Sequence, residues 1–137
     1  MFIEDQAFIT SVDQKIKFKG AVPMGTYKKS NKAELLAGLD EVIRHYTKKG
    51  IKVTWLHLDN EFKSYKTEME KQWKLECNFA APDEHVPDIE CLNRIIQDCF
   101  RVKYHHLPFQ VLPQPMIRHR AMGILVKWNM FPKKDDY

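Results

Sequence analysis

The stretch from Asn31 to Leu58 leaves this chain few ways to fold. "NKAELLAGLDEVIRHYTKKG" carries Leu35, Leu36, Leu39, Val42, Ile43 and Tyr46 at helical spacing, which makes one apolar face. Asn31 is a good N-cap, with Glu34 three residues on. Lys48 and Lys49 suit the negative end of the helix, and Gly50 stops it. The chain then runs straight into "IKVTWLHL", apolar on both sides, which predicts a central parallel strand. A helix that ends where such a strand begins has to lie on the sheet the strand belongs to.

The flanking segments extend this pattern. "AFITSV" (7–12) is rich in β-formers. "KIKFKGAV" (15–22) alternates, with Ile16, Phe18 and Val22 on one side and Lys15, Lys17 and Lys19 on the other. With "VDQK" as the turn, these two predict an antiparallel hairpin bearing a basic stripe. The plainer reading of the stripe is a solvated strand face that discourages edge pairing. "PMGTYKKSN" reads as a loop, "KSYKTEMEKQWK" as a polar helix, and "LECNFA" as a short strand. "APDEHVPDIE" is a loop that leads into "PDIECLNRIIQDCFRVKY". That helix has Pro87 in its first turn and Ile89, Leu92, Ile96, Cys99 and Phe100 facing inward. A last helix starts near Pro115 and buries Ile117, Ala121, Ile124, Leu125 and Trp128. The order predicts one α/β domain over residues 1–137. Its sheet is mixed, an antiparallel hairpin followed by parallel strands, with helices on both faces.

Composition removes several classes of function. With 44% hydrophobic and 29% charged residues, the chain reads as globular. No run approaches the roughly 18 apolar residues that span a bilayer. "MFIEDQAFIT" has early acids and no basic region, unlike a signal peptide. Cys77, Cys91 and Cys99 form neither a C-x-x-C pair nor a zinc spacing. Reduced thiols and an intracellular location, cytoplasm or nucleus, are expected. The net charge of +4 permits a nucleic-acid partner without requiring one.

Two acids stand out by position. Asp59 ends the central strand, where open α/β sheets hold their ligands. Glu90 lies in the first turn of the following long helix and shares a face with Asn93, Arg94 and Gln97, opposite the apolar stripe. Hard cations such as Mg²⁺ take carboxylate oxygens, and paired ions can stabilise both oxygens of a phosphoryl transfer. Each acid also has a plain reading. Asp and Asn favour strand-end turns, and a Glu near a helix N-terminus is favourable by about 0.3–1 kcal/mol. Local chemistry does not separate Glu90 from Asp83, Glu84 or Asp88.

Taken together, "IKVTWLHLDNEF" and "APDEHVPDIECLNRIIQDCFRV" resemble the integrase core of copia-type retrotransposon polyproteins. "KKGIKVT" and "LPFQVLP…LVKWNMFP" fit a divergent branch of the same family, so the resemblance spans nearly the whole chain. It implies a ribonuclease H-like fold and metal-dependent DNA strand transfer by Asp, Asp and Glu, with Mg²⁺ or Mn²⁺. It assigns the second Asp to Asp59 and the Glu to Glu90, as catalytic residues and metal ligands. Asn60 and Glu61 belong to the motif without being catalytic acids. The first family acid would open the first strand just ahead of "MFIEDQAFIT", whereas Asp5 and Asp13 fall in expected turns. The chain is therefore expected to be an integrase-core fragment, incomplete at its N-terminus and at its C-terminal side, with impaired strand transfer. DNA is the expected partner, through Asn93, Arg94, Arg101 and Lys103, with self-association as a further option. The alternatives are a non-catalytic nucleic-acid-binding module using Lys15, Lys17, Lys19, Arg94, Arg101, Lys103, Arg118 and Arg120, and an inactive remnant of a mobile element.

Overall fold

The structure is a computed structural model and describes residues 1–26, 31–81, 84, 86–108 and 110–131. Strands β1 (Phe2–Ile3), β2 (Gln6–Val12) and β3 (Lys19–Thr26) form an antiparallel sheet in the order β1-β2-β3. Helix α1 (Lys32–Thr47) leads to β4 (Trp55–Leu58), a 3₁₀ turn (Asn60–Tyr65) and α2 (Lys66–Trp73). Strand β5 (Glu76–Phe79) pairs with β4 in parallel, and α3 (Pro87–Tyr104) and α4 (Gln114–Met130) complete the order. The class is α/β. None of these helices is long and apolar enough to cross a membrane.

Strand β2 decides what lies on each side. Phe8 joins Ile3 and Ala21 in a core with Leu92, Ile96 and Phe100 of α3 and Ile117, Ala121, Ile124 and Leu125 of α4. The next residue, Ile9, packs on the opposite face against clusters built from Leu39, Val42, Ile43 and Tyr46 of α1. Side chains alternate along a strand, so α1 covers one face while α3 and α4 cover the other. Helices thus lie on both faces of this sheet, as the sequence predicts. At the bulge between Gln6 and Phe8, the fully buried Gln6 amide donates to the carbonyls of Ala7 and Met24. Its Oε1 accepts from Arg118 Nε of α4 at 2.8 Å. A buried amide satisfied on both ends fixes how α4 sits on the sheet.

Three expectations are corrected. First, the single mixed sheet is two sheets, and β4 and β5 make no ladder with the antiparallel strands among the described residues. Leu58 and Cys77 of β4 and β5 pack on α1 and α2, while the Trp55 side is exposed. The β4 strand is therefore covered on one face, not two, and it starts at Trp55 rather than Ile51. Second, the hairpin turn is longer than expected. Asp13 Oδ1 accepts from the amides of Lys15 (2.8 Å) and Ile16 (2.7 Å), and Lys17 turns to φ 52°. The second strand consequently begins at Lys19, Ile16 is exposed, and no stripe of three lysines runs along it. Third, Asn31 precedes α1 without a side-chain cap, so the capping box does not form. The loop expected around 27–30 lies outside the described residues.

Burying an aliphatic side chain stabilises by about 1.5–3 kcal/mol, and truncating one adds the cost of a cavity. Ile96→Ala, at a fully buried position in α3, is expected to lower stability by about 2–5 kcal/mol in urea unfolding. Ile16→Ala, in the turn, should stay within about 0.5 kcal/mol of the parent. An equal loss for both would mean that Ile16 belongs to the sheet interior.

Candidate functional site

Asp59 directly follows β4. Its Oδ1 accepts from the Asn60 amide at 2.6 Å, which starts the 3₁₀ turn and leaves the carboxylate at the exposed end of the strand. The strand-end turn and the strand-end acid are thus one structure. Glu61, two residues on, is also exposed. Both carboxylates act on the ammonium of Met1, whose pKa is lowered by burial and pushed partly back up by Glu61 and Asp59. That ammonium donates to the Phe8 carbonyl at 3.0 Å, and the Phe8 amide donates to the Met1 carbonyl at 2.8 Å. The Asp59 end of β4 therefore lies near the start of β1.

Glu90 is placed by the contacts of its own helix. Asn93, three residues further along α3, accepts from Thr10 Oγ1 at 2.9 Å, and Gln97 donates to the Phe2 carbonyl at 3.1 Å. This flank of α3 thus follows β2 and β1. Glu90 lies one turn ahead of both contacts, on the same flank and exposed. Met1 faces Phe8 across the ladder, so positions continuing β1 backward would face Ile9 and then Thr10. By alternation, a residue two places ahead of Met1 shares the face of Met1 and Ile3, on the α3 side.

The other acids are placed differently. Asp5 lies in the β1–β2 turn, at the opposite end of β1 from Met1. Asp13 is engaged in its own turn, and its charge acts on Tyr46 of α1. Asp88 sits 3.8 Å from Lys17. Glu84 accepts from the Ala81 amide, and Asp83 lies outside the described residues. No group of three or more His, Cys, Asp or Glu side chains suited to a metal ion occurs among the described residues. Two exposed carboxylates fall short of the six or more oxygens a hard cation takes, so water would have to supply most of the shell.

The basic residues divide as well. Arg94 and Lys103 are exposed on α3, and Arg101 is 3.5 Å from Asp98 on the same helix. Asn93 is committed to Thr10. Arg118 is tied to Gln6 inside the fold and does not belong to a basic surface. The Gln6–Arg118 pair was invisible to sequence reasoning because its partners are 112 positions apart. No family model matches this chain, and no curated protein matches it either.

The buried ammonium gives a test of this geometry. Its folded-state pKa is depressed, so between that value and the unfolded value of 8.0 the unfolded chain holds more protons. Stability should rise with pH across that window and level off above it. Asp59→Asn and Glu61→Gln should each lower the Met1 pKa further, by removing charge that favours the ammonium. NMR titration of ¹⁵N-labelled Met1 would measure it. An unmoved pKa in both variants would separate the β4 end from β1.

Proposed function

We propose that this chain is an integrase catalytic core of the copia-type retrotransposon family with a ribonuclease H-like fold. Asp59 and Glu90 are then two of the three carboxylates that serve its metal-dependent DNA strand transfer. The observation that carries this reading is the charge of Asp59, at the exposed end of β4, acting on the ammonium that starts β1. Helix α3, with Glu90 in its first turn, runs along β1 and β2 through Gln97 and Asn93. These are the elements on which the resemblance puts the family's acids. The strand order supports the reading too, with three antiparallel strands followed by two parallel ones. Asp59 and Glu90 would hold a Mg²⁺ or Mn²⁺ ion, and the ion would supply the Lewis acidity that phosphoryl transfer needs. The chain's own contribution would be two carboxylates, one directly after a strand and one in the first turn of a helix.

The experiment is an extension of β1. The 137-residue chain should show no strand transfer, since loss of one member of a cooperative catalytic set costs several orders of magnitude in rate. Adding Asp-Ala ahead of Met1 should tighten Mn²⁺ binding and raise transfer from a donor DNA end. Adding Asn-Ala should do neither, and Asp59→Asn in the Asp-Ala chain should abolish the gain. A gain that survives Asp59→Asn, or no gain with either extension, overturns the reading.

DNA binding is proposed along the exposed side of α3, through Arg94, Arg101 and Lys103. A net charge of +4 allows only a few phosphate contacts. Affinity for duplex DNA should therefore fall as salt rises, with a shallow slope of about −0.9 per phosphate contacted. Arg94→Ala should weaken binding and flatten that slope. Binding that ignores salt would remove DNA as the partner of this surface.

A further inference from the structure

Helix α4 buries one side in the core and carries Met116, Val126 and Met130 exposed on the other. Ile117, Ala121, Ile124 and Leu125 are buried in the core with α3. The opposite side presents Met116, His119, Gly123, Val126 and Met130, spaced three, four, three and four residues apart. All five are exposed, with Val126 at 53% and Met130 at 67%. This is the seam spacing by which one helix packs along another.

Gly123 stands at the centre of the seam. A Cβ there would meet nothing within 4 Å, so no neighbour in the chain requires the glycine. Glycine weakens a helix interior, and on this exposed side its benefit is close approach from outside. At the N-terminal end of the seam, a depression of about 400 Å³ is lined by Pro115, Met116, His119 and Arg120. The Nη1 of Arg120, shielded from solvent, has no hydrogen-bond partner among the described residues.

Charge selects the occupant. Arg120 and Lys127 are seven residues apart on one flank of the seam, at the heptad position whose charges choose partners in paired helices. Helix α4 contains no Asp or Glu. A second copy of α4 would bring the same cations back against this flank, which disfavours self-pairing. We propose that the outer face of α4 is a docking surface for an amphipathic helix of a partner protein. That helix would place an apolar seam over Gly123 and Val126 and carboxylates against Arg120 and Lys127. The proposal rests on α4 alone and is independent of the integrase reading.

The probe is a synthetic peptide of several heptads, with Leu at the seam and Glu at the flanks. Its own charges keep it from self-pairing. The control peptide carries Lys for Glu. Fluorescence anisotropy with the full chain should show binding of the acidic peptide and none of the basic one. The double change Arg120→Glu and Lys127→Glu should cut acidic-peptide affinity by on the order of tenfold or more and admit the basic peptide. Val126→Asp should abolish binding, and Met130→Ser reports on the same seam should Val126→Asp fail to fold. Each variant is checked by urea unfolding. Equal binding of both peptides, or of neither, overturns the proposal. So does a dimer of the chain alone in sedimentation that Val126→Asp dissolves, since the occupant is then a second copy. Displacement of the peptide by duplex DNA with no effect of Val126→Asp would make the face a phosphate-binding surface and overturn it equally.

Discussion

Everything else in this fold depends on the two-residue alternation of one short strand. Phe8 and Ile9 are neighbours in sequence and point to opposite sides of β2. Each nucleates a separate hydrophobic cluster, and each cluster needs its own helices. Phe8 calls for α3 and α4 on one side, Ile9 for α1 on the other. The loops that join these helices to the strands follow from that division. Buried Gln6 sits beside the same pair and ties the sheet to α4 through Arg118. Polar and apolar constraints therefore converge within four positions, Gln6 to Ile9.

Much of the element order was legible in the sequence because its signals are local. The apolar faces of α1, α3 and α4 repeat at helical spacing, and Gly50, with φ 74°, ends its helix as glycine should. Turns were harder, since their outcome depends on single side-chain contacts. Asp13 gathers the Lys15 and Ile16 amides and cancels an alternation that otherwise reads as a strand. The join between sheets was not legible at all. Trp55 looks like a core residue in sequence, and whether a second layer covers it is a tertiary fact. Among the candidate site residues, Asp59 and Glu90 were legible by position, at a strand end and in a helix first turn. The nearness of Asp59 to the start of β1, and the course of α3 along β1 and β2, became visible only through the Met1 ammonium, Asn93 and Gln97, whose contacts reach far along the chain.

The arrangement also separates carboxylates by use. Asp13 and Glu84 are engaged with backbone amides of their own loops, and Asp88 neighbours Lys17. Such contacts cap turns and loops at little cost, because the charge remains partly in water. Asp59 is different in where it stands rather than in how strongly it is bound. It combines a turn contact with a long-range influence on the first strand. An acid that shapes its own turn and still faces open solvent can hold a conformation and serve a ligand from the same carboxylate, one oxygen for each.

The division into two sheets has a consequence for how the molecule comes apart. Helix α1 is the wall they share, with Leu39 and Ile43 facing the β4–β5 cluster and Val42 and Tyr46 facing the cluster on β3. No ladder among the described strands crosses from one sheet to the other. Opening β4, β5 and α2 therefore breaks packing on one stripe of α1 and leaves the β2–β3 hydrogen bonds intact. Loss of α1 uncovers both sheets at once. In this arrangement the smaller unit, β4, β5 and α2, can exchange its amides by local opening while the larger one holds. Because Asp59 stands on the smaller unit and Glu90 on the larger, the distance between these two acids is set at the seam where the units meet.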